Sequence, residues 1–301
     1  MKRRRIAIAA LGALLWLASS ATAQQPNKKA VKLPAGTEQH IDQEYVANGH
    51  ARQRLDLFVP KATGPLPIIV WIHGGAWLAG DKNNPPALPF LEKGYAVASI
   101  NYRLSQHAVF PAQIEDCKAA IRWLRANAKK HNLDADHIGV WGASAGGHLV
   151  ALLGTTGEAK SLEGKGDHLD QSSRVQCVVD FFGPTDLTKM AGSHDNPDSP
   201  ESKLIGGAIQ RNKEKAGKAN PIAYIGKNAA PFLILHGDKD GVVPISQSEL
   251  LADALKKAGV EVAFVPIPGA GHGGPQFQSP ENRRRIEQFF DKHLRGMTKH
   301  E

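Results

Sequence analysis

A serine framed by glycines is the first residue of this chain that could carry out chemistry. Ser144 lies in the sequence Gly142-Ala143-Ser144-Ala145-Gly146, which has the pattern G-x-S-x-G. The apolar stretch Ile138–Trp141 before it predicts a strand, and Ala145–Leu153 after it predicts a helix. A sharp strand-to-helix turn exposes the serine hydroxyl, and the flanking glycines leave room for it. The pattern therefore predicts that Ser144 is a nucleophile.

A serine hydroxyl is a weak nucleophile until a base takes its proton, and His272 is our candidate for that base. His272 lies in the glycine-rich stretch 269–274, directly after the predicted strand Val260–Ile267. The chain has 13 histidines, so residue type alone decides little. His272 is chosen because a loop that follows a strand can bring it towards Ser144.

The third residue of such a system is an acid that orients the histidine. The stretch His236–Pro244 follows the predicted strand Pro231–Leu235 and contains Asp238 and Asp240. We assign Asp240 to this role and expect Asp238 to form the turn through its side chain. Serine, aspartate and histidine then follow one another in the order found in α/β-hydrolases, which differs from the orders of chymotrypsin and subtilisin.

The loop after another predicted strand, Pro67–Ile72, supplies the expected oxyanion hole. Its sequence is His73-Gly74-Gly75-Ala76-Trp77, whose small residues let backbone N–H groups approach a substrate oxygen. We expect the N–H of Gly74 or Gly75 to act together with that of Ala145. His73 is expected to fix the loop by hydrogen bonding, and Trp77 either lines the pocket or packs in the core.

Other titratable residues near these stretches receive secondary roles. With His73 and Trp77, His148 is assigned to the substrate pocket, because it lies one helical turn beyond Ser144 and is directed poorly for a base. Two other histidines, His107 and His236, are rivals of His272 for the role of base. Asp180 and Asp186 flank a Phe-Phe-Gly-Pro-Thr turn, and we expect these two acids to be structural or to lie at the edge of the substrate site.

Strands and helices alternate along the chain, which indicates an α/β protein with a largely parallel sheet. Most of the predicted strands are apolar on both faces, as strands covered by helices are. Besides those named above, we predict strands at Arg54–Val59, Tyr95–Ile100 and Val175–Phe182, and helices at Ile114–Lys129, Ser246–Ala258 and Pro280–Leu294.

One stretch, residues 185–224, interrupts this alternation and is rich in Gly, Asn, Pro and Lys. We predict a cap-like insertion with short helices over the sheet's edge, where the ligands of open α/β sheets bind. The expected layout is a loose leader at 24–38, one domain at 39–296 and a tail at 297–301.

The first 23 residues have the composition of a secretory signal peptide. Basic residues at positions 2–5 precede the apolar run Ile6–Ala18, and Ala21-Thr22-Ala23 suits a cleavage site. The run is shorter than the roughly 20 residues of a spanning helix. We expect cleavage after Ala23 and a secreted or periplasmic protein, with an uncleaved anchor as the alternative.

The composition excludes several classes of protein. The 301 residues are 42% hydrophobic and 22% charged, as in a globular protein. The formal net charge of +8 falls to about +4 without the four basic residues of the signal, so no nucleic-acid or membrane partner is expected for the mature chain.

Two cysteines exclude a disulfide scaffold or a multi-cysteine zinc module, and no metal site is predicted. We expect Cys117 and Cys177 to be separate buried thiols, although export would permit a disulfide.

Together these stretches resemble an α/β-hydrolase of the esterase/lipase superfamily, and they are most similar to the secreted bacterial acetylxylan and feruloyl esterases of the BD-FAE-like group. The resemblance extends from about residue 40 to residue 296. It rests on the stretches already described and on four others: Asn101-Tyr102-Arg103-Leu104, Phe110-Pro111-Ala112-Gln113, Ile121-Arg122-Trp123-Leu124 and Phe181-Phe182-Gly183-Pro184-Thr185-Asp186.

The resemblance implies an eight-stranded, mostly parallel sheet flanked by helices, a Ser144–His272–Asp240 triad and no cofactor. The chain departs from the hormone-sensitive-lipase-like branch, which carries an acid before the serine and three glycines after the loop histidine. In this chain Ala143 precedes the serine in place of the acid, and Ala76 takes the place of the third glycine.

These features predict a secreted serine carboxylic-ester hydrolase for short-chain or aryl esters, including acetyl or feruloyl groups on plant polysaccharide. Its partner would be a small ester or an esterified saccharide. The alternatives are a serine exopeptidase or amidase on the same fold, and a binding module without catalytic activity.

Overall fold

Eight strands form one mixed sheet in the computed structural model, which describes residues 32–297. The strand order is β1-β2-β4-β3-β5-β6-β7-β8, with β2 antiparallel to β1 and β4 and all other neighbours parallel. The predicted eight-stranded, mostly parallel sheet is confirmed, whereas the predicted signal peptide lies outside the described residues. The strands are β1 Glu38–Glu44, β2 Arg54–Val59, β3 Leu66–Ile72, β4 Ala96–Ile100, β5 Leu133–Ala143, β6 Cys177–Phe181, β7 Phe232–Gly237 and β8 Val262–Ile267.

Helices cover both faces of the sheet, which is why the inner strands are apolar throughout. All seven residues of β3 are buried, and they alternate between two cores. Ile68, Val70 and Ile72 face one core, while Ile69 and Trp71 face the other. The α-helices of the described residues are α1 Ala112–Ala126, α2 Ala145–Thr155, α3 Pro200–Ile205, α4 Lys213–Lys218, α5 Ser246–Lys257 and α6 Pro280–Arg295.

Each core is built from a distinct set of helices. The first core receives the buried faces of α1, α2 and α5. The second core receives α6 and the 3-10 helix Leu88–Lys93. Cys117 of α1 lies in the first core and Cys177 of β6 in the second, so the sheet separates the two thiols. Both are free and buried, as the sequence predicted.

The segment 185–224 forms short helices, as predicted. It contains α3, α4 and single 3-10 turns, and it starts where β6 ends. Three hydrogen bonds attach it to the start of the neighbouring helices: Ala219 O accepts from His148 of α2 at 2.7 Å, and Gln247 Oε1 of α5 accepts from the N–H groups of Thr185 and Asp186 at 2.9 and 2.8 Å. The insertion therefore lies against the amino-terminal end of α2, at the carboxyl edge of the sheet.

The edge strand β1 was not predicted from the sequence. Its residues are mostly exposed and polar, so it lacks the apolar pattern that identified the inner strands. A bulge interrupts its pairing with β2, and the Asp42 N–H at the bulge donates to Asp56 Oδ1 at 2.8 Å. Lys82, which is 6% exposed, lies 2.8 Å from Asp56 and 2.9 Å from Asp42. This shared ion pair attaches β1 to the sheet.

Neither a membrane-spanning helix nor a group of metal ligands is found in the described residues. None of the helices in residues 32–297 combines the length and apolar composition needed to cross a membrane. Within the same residues, no three His, Cys, Asp or Glu side chains are grouped as metal ligands.

The Lys82 ion pair gives a stability prediction. Asp56→Ala leaves a buried ammonium with one carboxylate and removes the acceptor of the Asp42 N–H, so the free energy of unfolding should fall by about 3 kcal/mol. Denaturant unfolding at pH 7 measures this. The matched control is Asp253→Ala, whose side chain is 79% exposed, and it should change stability by less than about 0.5 kcal/mol. Equal effects of the two substitutions would contradict the structural role of Asp56.

Candidate active site

Ser144 lies at a strained turn between β5 and α2. Its backbone has φ 56° and ψ −121°, a region that side-chain-bearing residues rarely adopt. The turn needs glycine at two positions because the backbone segments there approach too closely for a side chain. A Cβ on Gly142 would collide with the Gly146 carbonyl, and a Cβ on Gly146 would collide with the Ile72 carbonyl of β3. The Ser144 N–H donates to Phe181 O of β6 at 2.8 Å. The chain on both sides therefore holds the hydroxyl at the carboxyl edge of the sheet.

The structure brings together the three residues predicted as nucleophile, base and acid. Ser144 Oγ lies 2.9 Å from His272 Nε2, and His272 Nδ1 lies 2.7 Å from Asp240 Oδ2. A carboxylate can only accept, so Nδ1 carries the proton and Nε2 is left to accept the serine O–H. His272 is partly exposed, with 22% of its side chain accessible, whereas the side chain of Asp240 is fully buried.

Asp240 is held as an anion by its hydrogen bonds. Burial raises the pKa of its carboxyl, but donors around it outweigh burial and lower that pKa well below its usual range. These donors are His236, His272 and the N–H groups of Val243 and Val242, which lie 2.9 and 2.8 Å from Asp240 Oδ1. The anion is therefore placed to orient the His272 ring.

Asp238 has a different role, as expected. Its carboxylate accepts the Gly269 N–H at 2.7 Å and so fixes the turn that precedes the His272 loop.

Two of the residues predicted for the oxyanion hole, Gly74 and Ala145, lie beside the serine. Ala145 is the first residue of α2, so its N–H has no acceptor in the helix. Gly74 lies against the serine, since a Cβ placed on it would be 3.3 Å from the Ser144 Cβ. Within residues 32–297, no hydrogen bond uses the N–H of Gly74, Gly75 or Ala145. All three donors therefore stay candidates for the oxyanion hole.

His73 fixes the oxyanion loop from within. Its Nε2 accepts from Arg52 at 3.1 Å, its Nδ1 donates to Gly74 O at 2.7 Å, and its ring stacks on Tyr102 at 4.4 Å. Burial lowers the pKa of His73 to about 4, with Arg52 adding to this and the Gly74 bond opposing it. His73 is only 5% exposed and is uncharged at neutral pH. The expected loop-fixing role fits this geometry, and the buried ring presents little surface to the substrate pocket to which it was also assigned.

Trp77 and His148, the other two residues assigned to the substrate pocket, are buried. Trp77 is 2% exposed and His148 is fully buried, and the two rings meet edge to face at 5.3 Å. Burial lowers the pKa of His148 to about 4 despite its bond to Ala219 O. The bond from His148 to Ala219 O joins this pair of rings to the insertion. The burial of Trp77 in the first core fits the alternative prediction of a core residue.

Phe182 was missed as a site residue. Its ring packs on the His272 ring at 4.5 Å and on Phe277 edge to face at 4.9 Å. Its φ of 42° is unusual for a bulky residue. The sequence contains a signal for this residue, the Phe-Phe-Gly-Pro-Thr turn after β6. The sequence analysis assigns roles only to the two acids that flank this turn.

The rival residues do not reach the serine hydroxyl. His107 is exposed, and its Nδ1 accepts the Leu104 N–H at 3.1 Å. Asp186 accepts from Thr188 at the start of a 3-10 turn. Asp180 is buried and accepts the Gly183 N–H at 3.0 Å; burial raises its pKa to about 6, against the effects of that bond and of His236. His236 contacts Asp240 rather than Ser144.

Solved structures share this fold. A truncated carbohydrate esterase from gut microbiota is 35% identical with a TM-score of 0.81, over 86% of this chain and 96% of that chain. A bifunctional GH43-CE protein of Bacteroides eggerthii is 38% identical with a TM-score of 0.81, over 85% of this chain and 35% of its own. The fold is therefore that of the α/β-hydrolases.

Sequence comparison defines the family more closely. The BD-FAE family profile matches residues 55–255, which is more than half of the chain. Esterase LipC of Mycobacterium tuberculosis is 34% identical over 229 residues, which are 73% of this chain and 57% of LipC. The chain belongs to the BD-FAE family, and it spans about half the length of the curated relatives it matches.

Proposed function

We propose that this protein is a serine carboxylic-ester hydrolase. The observation that carries the proposal is the unbroken hydrogen-bond series from Ser144 Oγ through the His272 ring to Asp240, with lengths of 2.9 and 2.7 Å. Such a series activates a hydroxyl for attack on an acyl carbon. Membership of a family whose matched relatives include named esterases supports the same chemistry.

The reaction proceeds in two halves on these residues. Ser144 Oγ bonds to the ester carbonyl carbon while its proton moves to His272 Nε2. The carbon–oxygen bond to the alcohol then breaks, and His272 returns the proton to the leaving alkoxide. A water attacks the acyl-serine, gives its proton to His272, and the acid leaves as Ser144 recovers its proton. Asp240 stays ionised and stabilises the imidazolium in each half.

The negative oxygen of each tetrahedral intermediate needs donors that are already in place. The N–H groups of Gly74, Gly75 and Ala145 would supply them. Ala145 is at the amino-terminal end of α2, where the helix dipole favours negative charge. His73 and Arg52 keep the glycine loop in position, so little reorganisation is needed during the reaction.

Loss of the serine hydroxyl should abolish the activity. Hydrolysis of p-nitrophenyl acetate and butyrate by Ser144→Ala should fall about 10⁴-fold or more in kcat, because the nucleophile is gone while binding residues remain. The control is Ser193→Ala, an exposed serine of the insertion, which should match the wild type. Equal rates for Ser144→Ala and the wild type would place the nucleophile elsewhere, and an inactive wild type would favour a peptidase, an amidase or a binding module.

The substrates we propose are short-chain or aryl esters, including acetyl or feruloyl groups carried on saccharides. The similarity to the carbohydrate esterase from gut microbiota supports a saccharide alcohol. Acetylated and feruloylated oligosaccharides should therefore release acetate or ferulate in the presence of the wild type and not of Ser144→Ala. Chromatography of the released acid measures this. Hydrolysis of p-nitrophenyl esters without any release from either saccharide would refute the saccharide proposal.

We also propose that the protein is exported and loses residues 1–23. The basic start, the apolar run and the Ala21-Thr22-Ala23 site support this. Mass spectrometry of the protein recovered from the periplasm or medium should give a chain that begins at Gln24. Ala23→Arg should block this cleavage because a small residue is needed there. Recovery of only the uncleaved wild-type chain would contradict the proposal.

A further inference from the structure

A second histidine contacts the carboxylate that orients His272. His236 lies near the end of β7, and its side chain is fully buried. Its Nε2 lies 2.9 Å from Val243 O and 3.3 Å from Asp240 Oδ2, while its Nδ1 lies 2.7 Å from Ser248 Oγ of α5. No bond-making or proton-transfer step of the proposed reaction uses this ring.

The partners of His236 define where its proton is. Val243 O can only accept a hydrogen bond, so Nε2 carries the proton and shares it between Val243 O and Asp240 Oδ2. The other nitrogen, Nδ1, lies 2.7 Å from the Ser248 hydroxyl, which can donate to it. This contact suits the tautomer that directs an N–H towards Asp240.

Asp240 is consequently bound on all sides. Oδ1 accepts the N–H groups of Val242 and Val243, and Oδ2 faces both His272 and His236. His236 also holds Val243 O, so one ring fixes the carboxylate and the turn that donates to it. A carboxylate held in this way cannot rotate away from the His272 ring without breaking several bonds.

We propose that His236, fixed by Ser248, is a positioning residue that orients Asp240 and shares its negative charge with His272. This inference rests on the proposed function, because it concerns the same hydrogen-bond series. It adds to the triad a fourth side chain, which influences the His272 ring through Asp240 without contacting the substrate.

Two effects follow if His236 loses its N–H. Asp240 becomes freer to rotate, which lowers kcat but leaves substrate contacts and KM nearly unchanged. More of the carboxylate charge also becomes available to His272, so that ring should hold its proton to higher pH. The other ionisable group near His236 is Asp180, which is buried on β6 and common to all variants.

Two substitutions separate hydrogen bonding from packing. His236→Phe keeps a ring but removes both hydrogen bonds, whereas His236→Gln supplies an N–H towards Asp240 and an oxygen towards Ser248. We expect kcat to fall about 10- to 100-fold in His236→Phe, as when a supporting partner of an active-site ligand is lost. The acid limb of its pH–kcat/KM profile should move to higher pH by about half a unit. His236→Gln should lie close to the wild type in both.

The matched control is His131→Phe, which replaces another buried histidine, one that packs on Trp123 away from Asp240. It should leave kcat and the pH profile unchanged. NMR titration of the His272 ring protons gives the same shift without any assay of activity. Ser248→Ala tests the network if His236→Phe fails to fold, and it should lower kcat several-fold with a shift in the same direction.

The outcomes decide between the proposals. A folded His236→Phe with wild-type kcat and an unmoved His272 titration would overturn the positioning role. A loss of kcat in His236→Gln but not in His236→Phe, with the titration unmoved in both, would show that the ring matters only for packing. If the wild type itself lacks esterase activity, the proposed function fails, and the NMR titration still reports whether His236 controls His272.

Discussion

The close approach of three backbone segments around Ser144 is the constraint on which the rest of the site depends. The end of β5, the first turn of α2 and the end of β3 meet where Gly142 and Gly146 leave no room for a side chain. This contact forces Ser144 to a positive φ and turns its hydroxyl away from the sheet. The same contact brings the oxyanion loop after β3 beside the serine. The strain is sustained because strands on both sides of β5 fix its position.

Charge in this site is controlled by the number of donors rather than by exposure to water. Asp240 is buried, yet it stays ionised because His236, His272 and two backbone N–H groups surround it. His73 and His148 are buried without a carboxylate, and both are uncharged at neutral pH. The buried carboxylate is therefore charged and the two buried imidazoles are not, for one physical reason. Only the group with several donors can remain an anion in a medium of low polarity.

Buried residues beneath the surface hold the groups that would meet a substrate. Arg52 and Tyr102 position His73, and His73 positions the oxyanion loop. Trp77 and His148 fill the space between that loop and the insertion. Phe182 packs against the ring of His272. Each of these side chains acts through a neighbour, so the exposed site is small compared with the set of residues that builds it.

The sequence by itself determined the parallel sheet and the three residues of the Ser144 series. Apolar strands such as β3 and a glycine-framed turn leave a local pattern because a few neighbouring residues decide them. It did not predict β1, whose polar residues are held by the Lys82 ion pair rather than by an apolar face. Only the tertiary structure decided that Trp77 and His148 are buried and that His236 shares Asp240. Burial depends on segments far apart in the chain, and the His236 contacts depend on how the turn after β7 folds back on the ring, so no pattern of residue types records either.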